Sequence, residues 1–313
     1  MKNLLTLSGI SNSEAITLLD RVQNMKTKFG TPDFEPTLAG ATVANLFFED
    51  STRTRLSFSL AAERLGARVV NFSAAGSSLS KGESLRDTVA TITSMGIDAV
   101  VIRHQAVGAG QLVAKWTGLP VLNGGDGAHQ HPTQALLDAV SLREYLHESP
   151  LGKDLAGTKL LIVGDLLHSR VVRSNVDLMV ALGAEVTLVG PSTLLPPGVH
   201  TWPVKVTTDF DAAIATQPDA VMMLRVQKER MSSAGGGYFP SVGDYIRQYC
   251  LNPERYEKLG EKCAILHPGP LNRGLEICDQ AADGPGSLIL KQVNNGVFVR
   301  MAMLDLLING DEN

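Results

Sequence analysis

A run of hydroxyl and arginine side chains after Phe48 is the segment best suited to bind a phosphate group. Residues 51–55 read Ser-Thr-Arg-Thr-Arg, follow an apolar stretch and open a predicted helix. The first backbone N–H groups of a helix lack intrahelical partners, and the helix dipole is positive there, so such a start attracts anions. A cap needs only one Ser or Thr. A simple cap with solvated arginines is therefore the less favoured alternative.

A second polar group follows two other strands of the same half. His131 and Gln134 are three residues apart at the start of a predicted helix, whose first position suits Pro132. Arg103 ends an apolar strand and so lies at the carboxyl edge of the sheet, where open α/β sheets bind ligands. A histidine at a helix start is often only structural, and that alternative stays open for His131.

The second half places two arginines where they suit a dicarboxylate. Arg170 begins the predicted helix that follows the strand 159–163, and Arg225 lies at the end of the strand 220–224. Guanidinium groups bind carboxylates bidentately. The segment 267–270, His-Pro-Gly-Pro, ends the last strand. Its two prolines have no backbone N–H to donate, and its backbone carbonyls are free to accept from an amine or amide. A local salt bridge is an equal alternative for each arginine.

The elements that must position these residues alternate as in a parallel sheet. Ser11 and Glu14 form a predicted capping box at the start of an amphipathic helix. Four apolar strands then alternate with four helices. The strands are predicted at 41–48, 68–72, 98–102 and 119–122. The helices are predicted at about 51–65 and 83–95, between the third strand and residue 116, and at 132–146. A turn is predicted at 123–127.

The pattern restarts after a polar, breaker-rich segment near residue 150. Four more buried strands are predicted at 159–163, 185–189, 220–224 and 263–266. A long final helix carries one apolar stripe: Val293, Val297, Met301, Leu304 and Ile308. We predict an α/β fold with two domains, 1–147 and 153–290, each a parallel sheet flanked by helices. Residues 291–313 are predicted to pack back on the first domain, with a subunit contact as the alternative.

Composition excludes several classes of function. The 313 residues include 28 Lys and Arg against 32 Asp and Glu, a net charge of −4 without a basic cluster, so a nucleic-acid surface is not expected. No segment reaches membrane-spanning length. The three cysteines lack metal-ligand spacing, which predicts reduced thiols, no metal site and a cytoplasmic protein. Neither a dinucleotide motif nor a Ser/His/Asp arrangement is present in the sequence.

These residues together resemble the aspartate/ornithine carbamoyltransferase family over essentially the whole chain. The segment 48–55, Phe-Glu-Asp-Ser-Thr-Arg-Thr-Arg, is similar to the whole family. The segments 225–230, Arg-Val-Gln-Lys-Glu-Arg, and 267–270 are similar to its aspartate branch, whereas ornithine enzymes typically carry Ser-Met-Gly and His-Cys-Leu-Pro there. The resemblance implies transfer of the carbamoyl group of carbamoyl phosphate to the amine of L-aspartate in pyrimidine biosynthesis, with no cofactor.

The resemblance also implies roles for individual residues. The catalytic residues would be Arg53, Thr54, Arg103 and His131. Carbamoyl phosphate would contact Ser51, Thr52, Arg53, Thr54, Arg103, His131, Gln134, Gly269 and Pro270. Aspartate would contact Lys81, Arg170, Arg225 and Gln227.

In this family Lys81 and a nearby serine are lent by a neighbouring subunit, so a homotrimer with shared active sites is expected. Ser77 fits that serine best, with Ser78 and Ser80 as alternatives. Another amino acid acceptor such as ornithine, or a non-catalytic scaffold, remains the alternative function. A regulatory chain or a dihydroorotase partner and control by nucleotides stay open.

Overall fold

The computed structural model describes residues 1–73, 82–226 and 241–310. Within these ranges the chain forms two parallel sheets with helices packed around them. The chain begins with α1, Asn12–Lys28, whose predicted capping box is present: the Ser11 hydroxyl accepts from the Glu14 N–H, and the Glu14 carboxylate accepts from the Ser11 N–H. The predicted α/β fold is confirmed.

The first sheet has four parallel strands in the order β2-β1-β3-β4. The strands are β1 Thr42–Phe47, β2 Arg68–Ser73, β3 Ala99–His104 and β4 Val121–Asp126. The helices that accompany them are α2 Thr52–Arg64, α3 Leu85–Thr93, α4 Ala109–Thr117 and α5 Pro132–Leu146. From β1 the chain continues to β2 on one side, and from β3 it continues to β4 on the other side. A crevice therefore opens between the carboxyl ends of β1 and β3. The predicted phosphate segment and Arg103 follow those two strands.

The predicted turn at 123–127 is wrong, because β4 continues through Asp126. The Gly124-Gly125 pair suggests a turn. The backbone nevertheless stays paired with β3, and the register shifts between Ile102 and His104 to accommodate it. The side chain of Asn123 supports this extended segment, since its amide donates to the Asp126 carboxylate and its carbonyl accepts from the N–H of Gly125.

The second sheet has five parallel strands in the order β7-β6-β5-β8-β9, one more than predicted. The strands are β5 Lys159–Val163, β6 Glu185–Val189, β7 Lys205–Thr207, β8 Ala220–Met223 and β9 Ala264–Leu266. The helices of this half are α6 Arg170–Ala181, α7 Phe210–Ile214, α8 Val242–Tyr249, α9 Pro253–Leu259 and α10 Asp279–Asp283. The missed strand, β7, has three residues on the sheet edge and no apolar run, so it carries no pattern to detect. The crevice of this sheet lies between β5 and β8.

The final helix, α11, spans Ile289–Asn309 and packs against α1, α2 and α5. Its predicted return to the first domain is confirmed. Val297, Met301 and Leu304 of the predicted stripe are buried, whereas Val293 is 52% exposed. The domain boundaries at 147 and 153 stay a prediction; residues 147–158 contain neither helix nor strand. Across the described ranges, no helix is long and apolar enough to cross a membrane.

Candidate active site

A cleft of about 920 Å³ lies where the carboxyl edges of the two sheets face each other. The first half contributes residues 47–54, Ser57, Ser73, Arg103, Gln105, His131, Gln134 and Leu137. The second half contributes Ser169, Arg170, Val171, Arg225 and residues 267–270. The final helix adds Gln292, Val293 and Arg300. Both halves and α11 are therefore needed to build the site.

The start of α2 forms one wall of the cleft. Ser51 is the N-cap residue of α2, with an extended backbone, yet its side chain makes no capping hydrogen bond in the described structure. Its hydroxyl and those of Thr52 and Thr54 line the cleft beside Arg53. The simple-cap alternative fails for Ser51. Unpaired backbone N–H groups, hydroxyls and a guanidinium at one point are suited to a phosphate.

Glu49 joins the two halves across the cleft. Its Oε2 atom lies 2.7 Å from Nη2 of Arg170, in the second half, and 3.4 Å from Nε of Arg103, in the first half. Arg103 also donates from Nη1 to the carbonyl of Gly124 at 3.3 Å. The two arginines are thus held near one another by a single carboxylate.

Gly125 allows these two arginines to approach the backbone. Its φ is +118°, a conformation that strongly favours glycine. A Cβ atom there would lie 2.7 Å from Nη1 of Arg170 and 3.4 Å from Nη1 of Arg103. Any side chain at this position would displace Arg170.

His131 is buried and neutral. Burial, followed by the positive charges of Arg103, Arg300 and Arg170, holds the pKa of its imidazole well below its usual value. Its backbone N–H donates to the Ser174 hydroxyl at 2.7 Å, which fixes the start of α5. A neutral imidazole keeps one N–H donor and one acceptor, so His131 can donate to an oxygen without carrying a charge.

Arg53 reaches across the cleft to the segment that follows β9. A Cβ atom on Gly269, whose φ is +62°, would collide with the Arg53 guanidinium and lie 2.8 Å from its Cζ. Burial, and then the nearby charge of Arg225, lower the pKa of Arg53. Two guanidinium groups from opposite halves thus face each other here, an arrangement that an anion between them would stabilise.

Gln134 is held by a buried carboxylate behind the cleft. Its Nε2 donates to Oδ1 of Asp138 at 2.8 Å. Burial raises the pKa of Asp138 to about 7, although its hydrogen bonds from Asn175, Gln292 and Gln134 lower it in part. Gln134 therefore has a defined orientation in the cleft wall.

The charges that line the cleft are strongly unbalanced. Five arginines of the described residues line it: Arg53, Arg103, Arg170, Arg225 and Arg300. The acidic lining residues within the described ranges are Glu49 and Asp50. An excess of guanidinium groups in a partly enclosed space favours anionic ligands.

Two family models cover nearly all of the chain. Residues 2–144 match the model "Aspartate/ornithine carbamoyltransferase, carbamoyl-P binding domain". Residues 156–307 match "Aspartate/ornithine carbamoyltransferase, Asp/Orn binding domain". The chain belongs to the aspartate/ornithine carbamoyltransferase family. Each half of the chain therefore matches one of the family's two domains.

Relatives within this carbamoyltransferase family are named for aspartate. The aspartate carbamoyltransferase catalytic subunit of Beutenbergia cavernae is 56% identical over 99% of this chain and 94% of its own length. Its counterpart in Streptomyces avermitilis is 52% identical over 99% of this chain and 96% of its own length. These relatives span the whole chain, including the second half, where the predicted acceptor site lies.

Solved structures agree in fold. The catalytic subunit of M. jannaschii aspartate transcarbamoylase matches with a TM-score of 0.84, 34% identity and full coverage of both chains. Aspartate transcarbamoylase from Trypanosoma cruzi, in complex with carbamoyl phosphate and aspartate, matches with a TM-score of 0.85, 30% identity and coverage of 98% and 97%. Both are therefore similar to this carbamoyltransferase in sequence and in architecture.

The structure brings most of the predicted site residues into this one cleft. They are Ser51, Thr52, Arg53, Thr54, Arg103, His131, Gln134, Arg170, Arg225, Gly269 and Pro270. Lys81 and Gln227 lie outside the described residues, as do Ser77, Ser78 and Ser80. The contacts assigned to each residue stay predictions.

Sequence reasoning missed three residues of this carbamoyltransferase site. Glu49 lies inside the quoted segment 48–55, but only the fold shows that it meets Arg170. Gly125 was assigned to a turn, and its closeness to two arginines depends on the bulged pairing of β3 and β4. Arg300 lies on the final helix, where a lone arginine among apolar residues is the one available signal; it donates to Ser57 at 2.8 Å.

Proposed function

We propose that this protein transfers the carbamoyl group of carbamoyl phosphate to the amine of L-aspartate, giving N-carbamoyl-L-aspartate and phosphate. The observation that carries the proposal is the cleft in which a helix start with free hydroxyls faces arginines from the other half. One side suits a phosphate and the other a pair of carboxylates. The names of the relatives and the T. cruzi complex support the same pair of substrates.

The phosphate would bind first, at the start of α2. Ser51, Thr52 and Thr54 offer hydroxyls there, the helix start offers N–H groups, and Arg53 offers a charge-assisted donor. The dianion would also relieve the repulsion between Arg53 and Arg225, whose proximity lowers the pKa of Arg53. Binding of the first substrate thereby prepares the second half for the next one.

The carbonyl oxygen of the bound carbamoyl group would face Arg103, His131 and Thr54. The neutral amine of aspartate attacks the carbonyl carbon, a C–N bond forms, and negative charge develops on that oxygen. Donors fixed in advance stabilise this charge in the transition state. The C–O bond to phosphate then breaks, and the departing phosphate takes the amine proton. Positioning and electrostatics perform this reaction without a protein nucleophile.

The acceptor site favours aspartate over ornithine on charge. Arg170 and Arg225 line the second-half wall, with Gly269 and Pro270 beside them. Two guanidinium groups bind the two carboxylates of aspartate and repel the side-chain ammonium of ornithine. We assign the role of aspartate contacts to Arg170 and Arg225, and extend it to Lys81 and Gln227 from the family resemblance.

We further propose a cytoplasmic homotrimer that acts in pyrimidine biosynthesis, with Lys81 and a loop serine completing the site of a neighbouring subunit. Leu56 and Leu60 support a subunit contact beside the cleft. They lie one turn apart on α2, just after the phosphate segment, and are 62% and 40% exposed. Covering this apolar stripe with a second copy would bury it next to the site.

The test compares acceptors in one assay. Carbamoyl phosphate is supplied with either L-aspartate or L-ornithine, and product is measured together with particle mass in solution. We expect turnover with aspartate to be faster by roughly 100-fold or more, in particles of three chains. Faster turnover of ornithine would overturn the acceptor, and a folded trimer without turnover would indicate a scaffold.

A further inference from the structure

Behind the cleft, three side-chain amides from three helices converge on one buried carboxylate. Asp138 of α5 is 0% exposed. Its Oδ1 accepts from Nε2 of Gln134 at 2.8 Å and from Nε2 of Gln292, on α11, at 2.7 Å. Its Oδ2 accepts from Nδ2 of Asn175, on α6, at 2.9 Å. Asp138 therefore connects both halves and the final helix directly behind the cleft wall.

Burial raises the pKa of Asp138 to about 7, so its carboxylate is ionised above that pH. An ionised carboxylate can only accept hydrogen bonds, so it then dictates which end of each amide faces it. Gln134 turns its NH₂ group to Asp138. The carbonyl oxygen of Gln134 is then the end left for the cleft that this residue lines. Without Asp138, either end of the Gln134 amide could face the cleft.

The same carboxylate also orients the segment after β9. The Oε1 atom of Gln292 accepts from the backbone N–H of His267 at 3.0 Å, while its other end donates to Asp138. The Nδ1 atom of His267 in turn accepts from the N–H of Gly269 at 2.8 Å. Residues 267–270, whose carbonyls are suited to an amide donor, are thus tied through Gln292 to Asp138.

We propose that Asp138 is a positioning residue that makes the cleft select an acyl phosphate carrying NH₂ over one carrying CH₃. It acts by presenting the Gln134 carbonyl to the cleft and by holding segment 267–270 through Gln292. This inference rests on the proposed function, because it assumes that carbamoyl phosphate binds here. Acetyl phosphate is the matched probe, since it keeps the phosphate and carbonyl groups and replaces NH₂ by CH₃. An acceptor that faces CH₃ is left unpaired, which lowers affinity.

The experiment measures one ratio, the Kd of acetyl phosphate divided by the Kd of freshly prepared carbamoyl phosphate, by calorimetry on the full chain at about pH 8, where Asp138 is ionised. In Asp138→Ala we expect this ratio to fall at least about tenfold from its wild-type value. Gln134→Met, which removes the acceptor itself, should lower the ratio in the same direction. Asp138→Ala should lower the ratio less in the Gln134→Met background than in wild type, because Asp138 acts partly through Gln134.

Two controls separate positioning from loss of stability. Asp138→Asn can keep its side-chain oxygen toward the NH₂ groups of Gln134 and Gln292. Its own NH₂ group then faces only the NH₂ group of Asn175. Asn175→Ala removes a different donor from the same carboxylate. Both should weaken the fold, yet both should keep the ratio within about threefold of wild type.

An unchanged ratio in Asp138→Ala, with the protein folded, would overturn the proposal. If that variant does not fold, Asp138→Ser is measured with the same expectation, since its hydroxyl is too short to reach both glutamines. An unchanged ratio in Gln134→Met overturns the proposal in either case. Wild-type protein that binds no carbamoyl phosphate would instead contradict the proposed function.

Discussion

The two walls of the cleft are built in different ways. The phosphate wall comes from one continuous segment, residues 51–54, at the start of α2. The opposite wall is assembled from Arg170, Arg225 and residues 267–270, which lie far apart in the chain. A single helix start can supply all the donors that a phosphate needs. A substrate with two carboxylates and an amine requires groups at several separate positions, and the fold must bring these together.

The difference predicts that the phosphate wall is the more sensitive to a single substitution. Arg53→Ala removes the one arginine of that segment that lines the cleft, and we expect kcat/KM to fall by about 100-fold to 1,000-fold. Arg55→Ala is the matched control, because Arg55 lies two residues on and does not line the cleft. Equal activity of the two variants in a product assay would contradict the assignment of the phosphate site to residues 51–54.

The second wall should respond mainly in the binding of aspartate. Glu49→Gln removes the charge that holds Arg170 and Arg103 near each other across the cleft. We expect the KM for aspartate to rise by about tenfold or more, with a smaller change for carbamoyl phosphate. Asp50→Asn is the control, as Asp50 also lines the cleft. An unaltered KM for aspartate in Glu49→Gln would show that the two walls are independent of this carboxylate.

Gly125→Ala tests whether Arg170 needs the space beside the backbone. Its Cβ would lie 2.7 Å from Nη1 of Arg170, so we expect roughly a tenfold higher KM for aspartate. Gly152→Ala is a control that also places alanine at a positive φ, +70°, but nothing lies within 4 Å of the added atom. Thermal unfolding should show a loss of about 1 kcal/mol in Gly152→Ala and a larger loss in Gly125→Ala. A normal KM in Gly125→Ala would mean that Arg170 relocates without consequence.

Asp138, the carboxylate behind the walls, should make the stability of the protein depend on pH. Burial raises the pKa of Asp138 from 3.8 to about 7, so between these values the folded protein binds a proton that the unfolded chain does not. Its contribution should therefore lower the free energy of unfolding as pH rises from 4 to 7, by about 1 kcal/mol per pH unit. Denaturant unfolding at pH 5 and pH 7 should reveal this difference in wild type and a weaker dependence in Asp138→Asn. Identical pH dependence in both proteins would assign the proton elsewhere.

The same contrast explains what the sequence could reveal. The phosphate wall was predictable because its donors are consecutive, and β1, α2 and β3 carry strong apolar patterns. Arg170 and Arg225 were identified individually, yet Glu49, the partner of Arg170, was not, since 121 residues separate the two. The short edge strand Lys205–Thr207 has no apolar run, and the Gly-rich end of β4 has the composition of a turn. In both cases pairing with a neighbouring strand, rather than local preference, decides the structure.

In the proposed reaction the phosphate binds at the start of α2 while the arginines of the other half hold the second substrate. The most direct measurement is a crystal structure of the protein with carbamoyl phosphate and succinate, a dicarboxylate without the attacking amine. We predict phosphate oxygens within hydrogen-bond distance of the hydroxyls and N–H groups of residues 51–54, and succinate carboxylates on Arg170 and Arg225. Phosphate bound elsewhere, with residues 51–54 facing solvent, would contradict this assignment of the two substrate sites.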